Sequence, residues 1–325
     1  METKTVLVTG IGGNVGQGIV RNIRDSYSNV NIVGVDVARF TAGNHLCNRT
    51  YQVPYSFDPS YIPYIQKIIG QESIDIILPS TDYEVYYLSL HKSVIKSMVV
   101  VSQVEVAKRY LDKYESYLYH LEKNIPFAKS WLPQDFDYSE SNIIAKPRKG
   151  RGSRGVLINP KNIKDLSNDY MIQPLLKGKE ITSAVYATKS GSLHGTFTME
   201  RELSFGTTSR SKTTFQYDEQ INSIAQKIID CGGMVGSFNI QSIVIPDNTV
   251  VPFEINCRLS GTSSIRHNLG FKDVKYTLQE YLFDQLPDMP NPMDGMAIRI
   301  FMDVIYPHAT DESELNNNCS QYILY

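Results

Sequence analysis

The interpretation of this sequence is decided by two segments on either side of a turn at Asp247-Asn248. They read Phe238-Asn239-Ile240-Gln241-Ser242-Ile243 and Val251-Pro252-Phe253-Glu254-Ile255-Asn256-Cys257-Arg258. If they form a hairpin, residue 241 lies opposite 254 and residue 239 opposite 256, and opposed residues share a face. The predicted polar face is Asn239, Gln241, Glu254, Asn256 and Arg258. The predicted core face is Phe238, Ile240, Phe253 and Ile255.

The polar face favours metal and phosphate chemistry over simple solvation, because a solvent face more commonly carries Lys, Thr and Glu. Oxygen ligands from Gln241, Glu254 and Asn256 suit a hard cation such as Mg²⁺ that bridges phosphates. Arg258 would then neutralise a transferring phosphoryl group.

A second segment, Ile143–Val156, predicts a strand ending at Lys146, then a basic glycine-rich loop, then another strand. A lysine at a strand end can place a charge on a polyphosphate, and the loop's N–H groups and arginines can cover the outer phosphates. The loop residues concerned are Gly150, Gly152, Ser153, Arg154 and Gly155. Taken alone, the segment is equally compatible with a solvated basic hairpin.

A third segment, Tyr170–Leu176, is an apolar strand that runs into Lys177-Gly178-Lys179-Glu180. An apolar edge with free backbone groups can bind an adenine ring, and a nearby carboxylate can hold ribose. An ordinary core strand and turn would be preferred if this segment stood alone.

The N-terminal turn Gly10-Ile11-Gly12-Gly13-Asn14-Val15-Gly16 follows a strand and opens a helix, and Asp36 ends the next strand. This order is typical of dinucleotide sites, and Tyr119 and Lys123 have the Tyr-x-x-x-Lys spacing of short-chain dehydrogenases. However, Val15 stands where the third glycine belongs. We favour glycines that close a tight turn against the sheet, with a reductase or epimerase as the alternative.

Strand–helix alternation in the first third predicts a parallel sheet with helices on both faces. After Pro126 the pattern changes to alternating strands and hairpin-like turns. We therefore expect one domain over residues 1–110 and another over 111–325, the latter with a nucleotide subdomain at about 111–180 and a metal subdomain at about 181–325.

The composition excludes several classes of protein. The chain has 325 residues, 42% of them hydrophobic, with 32 Lys+Arg against 34 Asp+Glu, which predicts no polybasic nucleic-acid arm. No apolar stretch reaches the roughly 20 residues of a membrane span. Four cysteines without metal-ligand spacing predict reduced thiols and a cytoplasmic location.

In this order, the segments resemble the ATP-grasp superfamily, most closely its carbamoyl-phosphate-synthase-like and carboxylate–amine ligase branches. The resemblance covers nearly the whole chain. It implies an α/β fold in which a Rossmann-like pre-ATP-grasp domain precedes an ATP-grasp α+β domain. It also implies ATP and Mg²⁺ as cofactors, with Mn²⁺ as an alternative metal.

The resemblance assigns roles to individual residues. It implies phosphate contacts from Lys113 and Lys146, a flexible loop over ATP at Gly150–Gly155, an adenine hinge at Gln173, Pro174, Leu175 and Leu176, and a ribose acid at Glu180. It implies Gln241, Glu254 and Asn256 as metal ligands, with Arg258 and Lys146 catalytic. The hinge departs from the family's usual Gln-Glu, because proline follows Gln173.

The implied activity is an ATP-dependent ligase that forms an acylphosphate and then an amide, with small carboxylate and amine substrates. Arg201, Arg210 and Lys212 are candidate anchors for the acceptor carboxylate, although surface charges are equally compatible with the pattern. No nucleic acid or membrane partner is expected, and a homodimer is allowed. The alternatives are one subunit of a split carbamoyl phosphate synthase, a reductase or epimerase, and a nucleotide-binding module without turnover.

Overall fold

The first hundred residues alternate strands and helices around a parallel sheet. The structure is a computed structural model that describes residues 3–150, 152, 154–315 and 321–325. The strands are β1 (Thr5–Thr9), β2 (Asn31–Asp36), β3 (Arg49–Gln52), β4 (Ile76–Leu78) and β5 (Met98–Val99), and the helices are α1 (Asn14–Ser26), α2 (Tyr61–Glu72), α3 (Asp82–Leu90) and α4 (Val104–Leu111). All strands pair in parallel, in the order β3-β2-β1-β4-β5. The order reverses at β1, and open parallel sheets bind ligands at such reversals.

A three-stranded antiparallel sheet occupies the middle of the chain. It follows α5 (Lys113–Glu122) and consists of β6 (Ile143–Pro147), β7 (Leu157–Ile158) and β8 (Tyr170–Pro174) in the order β7-β6-β8. Trp131 and Phe136 pack with Ile143 and Ile172 into a small separate core. Short 3₁₀ helices lie at Asn44–Leu46, Pro133–Asp135, Ile163–Asp165 and Glu312–Leu315.

A larger antiparallel sheet forms most of the remaining chain. Its strands are β9 (Lys179–Ala187), β10 (Leu193–Ser204), β11 (Thr207–Thr213), β12 (Gly236–Val244), β13 (Val250–Asn256) and β14 (Met296–Ile298), in the order β13-β12-β9-β10-β11-β14. The accompanying helices are α6 (Asp218–Asp230), α7 (Ser263–Asn268) and α8 (Asp273–Tyr281), and β15 (Val304–Ile305) pairs with β16 (Ile323–Leu324).

One continuous core joins the parallel sheet to the large antiparallel sheet. Leu7 and Val33 of the first sheet belong to the same buried cluster as Phe238 and Ile240 of β12 and Ile221 of α6. Continuous burial of this kind packs the two sheets against each other. Among the described helices, none has the length and apolar character needed to cross a bilayer.

The β12–β13 hairpin confirms the predicted register and corrects one residue. Asn239 pairs with Asn256, and Gln241 pairs with Glu254. The register then shifts between Gln241 and Ser242, because Ser242 pairs with Pro252 and leaves Phe253 without a paired position, as in a β-bulge. Phe253 therefore lines the cleft and not the core, contrary to the prediction from strict alternation.

Candidate functional site

A cleft of about 1460 Å³ lies between the parallel sheet, the three-stranded sheet and the large antiparallel sheet. It brings together most of the site residues that the sequence predicts. These are Lys113, Lys146, Gly150, Gly152, Arg154, Gly155, Gln173, Pro174, Leu175, Leu176, Glu180, Arg201, Gln241, Glu254, Asn256 and Arg258. Ser153, which was also predicted to contact ATP, lies outside the described residues.

Two buried lysines lie beside a carboxylate on the cleft wall. Lys146 Nζ donates to the carbonyl oxygen of Phe253 at 3.1 Å and lies 4.9 Å from the centre of the Phe253 ring. Lys113 Nζ donates to Gly150 O at 2.9 Å and lies 3.7 Å from Glu254 Oε1. Lys113 therefore forms an ion pair with Glu254, whereas Lys146 makes its polar contact with a backbone carbonyl.

The same packing shifts the pKa values of these groups. Burial lowers the pKa of Lys146 to about 7. The positive charge of Lys113 also lowers this pKa, whereas the negative charge of Glu254 raises it. Burial raises the pKa of Glu254, but Lys113, Lys146, the hydrogen bond from Asn256 and the charge of Arg258 together hold that pKa below its usual value. Glu254 is therefore ionised at neutral pH.

The start of α5 explains how Lys113 reaches the cleft. Asp112 caps this helix, because its Oδ1 accepts from the backbone N–H of Tyr114 at 3.0 Å. The same carboxylate accepts from Arg148 Nε at 3.0 and 3.1 Å, and Lys113 N donates to Arg148 O at 3.0 Å. The helix N-terminus is thus tied to the end of β6, two residues after Lys146. Asp112 was not predicted as a site residue, although an aspartate before a helix is the usual cap signal.

A chain of hydrogen bonds runs along the polar face of the hairpin. Gln241 Nε2 donates to Asn256 Oδ1 at 2.9 Å, and Asn256 Nδ2 donates to Glu254 Oε1 at 3.0 Å. At the other end, Arg201 Nη2 donates to Gln241 Oε1 at 2.6 Å. These bonds fix the three oxygen-bearing side chains relative to each other.

The donor set of this face fits Mg²⁺ that is shared with phosphates. Gln241, Glu254 and Asn256 supply one carboxylate and two amide oxygens, and Mg²⁺ commonly takes one or two carboxylates plus substrate phosphate oxygens. Among the described residues, no group of three or more His, Cys, Asp or Glu side chains could hold a metal ion. A metal on this face would therefore also need the amide oxygens and phosphate oxygens. Coordination by Gln241 Oε1 would replace its bond from Arg201.

Arg201 lines the cleft, where it also bonds Glu180. Its Nε donates to Glu180 Oε1 at 2.9 Å, because β10 runs beside β9 in the sheet. Of the three predicted acceptor anchors, only Arg201 lines the cleft. Arg210 and Lys212 are exposed and lie outside it, because Arg201 pairs with Ser211 and the neighbours of Ser211 point to the opposite face.

Arg258 contacts a residue that sequence reasoning missed. Its Nε and Nη2 lie 3.0 and 2.9 Å from Asp82 Oδ2, and its Nη1 donates to Leu259 O at 3.1 Å. Asp82 is the first residue of α3, between the Thr81 and Glu84 side chains that form a capping box. The ion pair therefore joins the parallel sheet to the end of β13. The sequence signal for Asp82 is its position just after β4, which pairs in parallel with β1, the strand that leads into the glycine turn.

The backbone at the predicted adenine hinge is already partly bonded. Leu175 N donates to Asn142 O at 2.8 Å, and Leu176 N donates to Pro174 O at 3.0 Å. Gln173 points away from the hinge backbone, because its Nε2 donates to Ser130 Oγ at 2.9 Å. The prediction of free N–H groups is wrong for Leu175 and Leu176. An adenine that accepts from Leu176 N would have to replace the bond to Pro174 O.

The N-terminal glycine turn lines the other end of the same cleft. Gly10 has φ +58°, and a Cβ on Gly16 would collide with the Gly10 carbonyl, so both glycines are needed for close packing. Asp36 Oδ2 accepts from Gly12 N at 2.8 Å. Tyr119 and Lys123 do not line the cleft, and Tyr119 packs instead under Arg109. The dehydrogenase alternative thus lacks its catalytic pair at this turn.

Comparisons with known proteins agree with this arrangement. Residues 6–102 match the model of the PylC-like N-terminal domain, and residues 110–262 match the model of the ATP-grasp domain. No curated protein sequence matches the chain.

Solved structures with a similar fold include three enzymes of low sequence identity. The ADP complex of the N5-carboxyaminoimidazole ribonucleotide synthetase PurK has a TM-score of 0.72 at 13% identity, over 90% of this chain and 80% of that one. The biotin carboxylase domain of Hydrogenobacter thermophilus 2-oxoglutarate carboxylase has 0.70 at 13%, over 91% and 74%. The L-amino acid ligase of Bacillus licheniformis has 0.69 at 10%, over 87% and 75%. Together with the sheet topology, these matches confirm the predicted fold class.

Proposed function

This chain is a member of the ATP-grasp superfamily with a PylC-like N-terminal domain, and we propose that it is an ATP-dependent carboxylate–amine ligase. The observation that supports the proposal most strongly is the arrangement around Glu254. One ionised carboxylate, two amide oxygens and two buried lysines line one cleft, as binding of a magnesium–polyphosphate complex requires.

In this proposal, the side chains of the cleft divide the work of binding ATP. Lys146 and Lys113 contact the phosphates, and the loop Gly150–Gly155 covers them. Glu180, near the start of β9, holds the ribose. Gln241, Glu254 and Asn256 would hold Mg²⁺, which would supply charge neutralisation to the phosphates. Manganese has the same preference for oxygen donors and is the natural substitute in assays.

The reaction needs no nucleophilic side chain. A carboxylate oxygen of the first substrate forms a bond to the γ-phosphorus, and the bond to ADP breaks. The amine nitrogen of the second substrate then bonds to the acyl carbon, and inorganic phosphate leaves with that oxygen while the amine loses a proton. Arg258, held by Asp82, neutralises the transferring phosphoryl group, so catalysis is mainly positioning and charge compensation.

The test is incubation of the purified protein with ATP, Mg²⁺ and pools of carboxylic acids and amines. ADP release and new product masses are read by coupled assay and mass spectrometry. The proposal predicts ADP release that requires both an acid and an amine, with an amide product. ATP hydrolysis that no pair of substrates stimulates would contradict it.

A further inference from the structure

The wall of the cleft that the first domain supplies carries several exposed aromatic side chains. Phe40, Tyr55 and Phe57 line the cleft and are 50%, 53% and 58% exposed. They belong to the loops that follow β2 and β3. Aromatic rings left in contact with water on one concave wall are typical of a binding site for an apolar group.

Two of these rings are already held in a fixed relative orientation. The rings of Tyr55 and Phe57 are stacked, with centroids 5.3 Å apart and an angle of 6° between their planes. The loop that carries them is fixed by its own hydrogen bonds, because Asp58 N donates to Tyr55 O at 2.8 Å and Asp58 Oδ1 accepts from Ser60 N at 2.8 Å. A preformed surface of this kind binds a ligand without first losing conformational entropy.

A carboxylate lines the same cleft, four residues before Phe40 in the chain. Asp36 lines the cleft beside the glycine turn, where its two oxygens accept from Gly12 N at 2.8 Å and Ala38 N at 3.1 Å. Each oxygen keeps a further lone pair. A cationic group next to an apolar one would therefore find both partners here.

Resting on the proposed function, we propose that Phe40, Tyr55 and Phe57 form a subsite for the aromatic side chain of the amine substrate, with Asp36 beside its charged group. The adenine ring of ATP is accounted for elsewhere, at the hinge after β8 in the second domain. An aromatic ring stacks on aromatic side chains better than an aliphatic chain of similar size, so the subsite selects a substrate class.

The direct test measures binding of amines by saturation-transfer NMR in the presence of Mg²⁺ and ADP. The probes are phenethylamine and L-phenylalanine, each compared with an aliphatic partner of the same charge, isopentylamine and L-leucine. We expect the aromatic probes to bind at least about five times more tightly than their aliphatic partners, the scale of one aromatic pair. Equal binding of the two sets, or no binding of the aromatic probes, overturns the subsite.

The variants are Phe57→Ala and the Tyr55→Ala/Phe57→Ala pair. Tyr64→Ala is the matched control, because Tyr64 is 49% exposed on α2 and does not line the cleft. We expect the cleft variants to weaken binding of the aromatic probes about tenfold, with the melting temperature and the Kd for ATP unchanged. Unchanged probe binding in the pair overturns the assignment.

Failure of the subsite and failure of the ligase proposal give different results. ADP release that aliphatic amines alone stimulate contradicts the subsite and leaves the ligase. Tight aromatic binding with no acid- and amine-dependent ADP release contradicts the ligase and leaves the subsite. Displacement of the aromatic probes by a protein that binds this wall would also overturn the subsite.

Discussion

Arg201 Nη2 lies 2.6 Å from Gln241 Oε1, so a guanidinium bonds an oxygen that we assign to Mg²⁺. The same guanidinium bonds Glu180, which we assign to the ribose. Arg201 therefore compensates the charge of Glu180 and holds the amide of Gln241, and coordination of Mg²⁺ by Gln241 Oε1 would require this second bond to break. We therefore propose that Arg201 acts at the nucleotide, and its predicted role as an acceptor anchor stays a prediction.

The pKa of Lys146 predicts proton uptake on ATP binding. Because burial lowers that pKa to about 7, the side chain is mostly neutral at pH 8, whereas a polyphosphate favours the ammonium form. ATP affinity should fall as pH rises from 7 to 9, and calorimetry at pH 8 in buffers of different ionisation enthalpy should show uptake of a proton. Lys146→Arg should abolish the uptake, since a guanidinium stays charged. Uptake that persists in Lys146→Arg would assign the proton to another group.

The same pKa predicts a stability effect with a defined sign. Between pH 7 and 10.5 the unfolded chain binds a proton at Lys146 that the folded protein does not. The free energy of unfolding should therefore rise with pH across this window and lose this contribution as pH falls to 7. Lys146→Met should remove that part of the slope and raise the melting temperature at pH 7, while ATP binding is lost. A lower melting temperature in Lys146→Met would contradict the argument.

The tip of the β10–β11 hairpin predicts a matched pair of glycine variants. Gly206 and Gly191 both have positive φ in hairpin turns, so replacement by alanine introduces similar backbone strain at either position. Of these two glycines, only Gly206 packs against the glycine-rich loop after β6, where a Cβ would collide with the Gly152 carbonyl. Gly206→Ala should weaken ATP binding, and Gly191→Ala should not. Equal ATP affinities, measured by calorimetry, would show that this contact plays no part.

The phosphate loop Lys149–Gly155, of which Arg151 and Ser153 lie outside the described residues, is expected to close over ATP. Trypsin cleavage after Arg148, Lys149, Arg151 or Arg154 should slow when an ATP analogue and Mg²⁺ are added. Cleavage rates that do not change with nucleotide would count against a covering role.

The ion pair between Asp82 and Arg258 predicts a positioning effect across the two domains. Asp82→Asn keeps the shape of the side chain but frees the guanidinium, so turnover should fall about ten- to a hundredfold through misplacement. The Kd for ATP should stay the same, because Asp82 contacts Arg258 and not Lys113 or Lys146, to which we assign phosphate binding in the ground state. Normal turnover in this variant would remove the positioning role.

The glycine turn is expected not to bind a dinucleotide tightly. Gly12 N already bonds Asp36, and Gly16 packs on the Gly10 carbonyl. Titration of NADH by fluorescence at micromolar protein should show no saturable binding. Saturation at low micromolar concentrations would restore the reductase alternative.

The hairpin register could be predicted because its apolar and polar residues alternate on both strands. Phe253 could not, because a bulge depends on the pairing of the two strands and not on alternation within one. The edge strand β3 leaves no signal in the sequence, because Arg49-Thr50-Tyr51-Gln52 has no apolar run. The partners of Arg201 and Arg258 come from β9, β12 and α3, and contacts between distant segments leave no local pattern in a sequence.

The division of the chain at residue 110 and the roles of the site residues stay predictions. The matched domains end and begin at residues 102 and 110, close to that division. The individual roles require the variants described here.

The most direct test of the metal site is Glu254→Gln. Gln keeps the shape and a hydrogen-bond acceptor for Asn256, but it removes the charge that compensates Lys113 and Lys146 and would hold Mg²⁺. Glu219→Gln is the matched control, because Glu219 is exposed on α6 and does not line the cleft. ADP release with acid and amine substrates should fall at least about a hundredfold in Glu254→Gln, the scale of one preorganised electrostatic group, and melting curves should change little. Normal turnover in Glu254→Gln would contradict the metal site, and with it the proposed ATP-grasp mechanism.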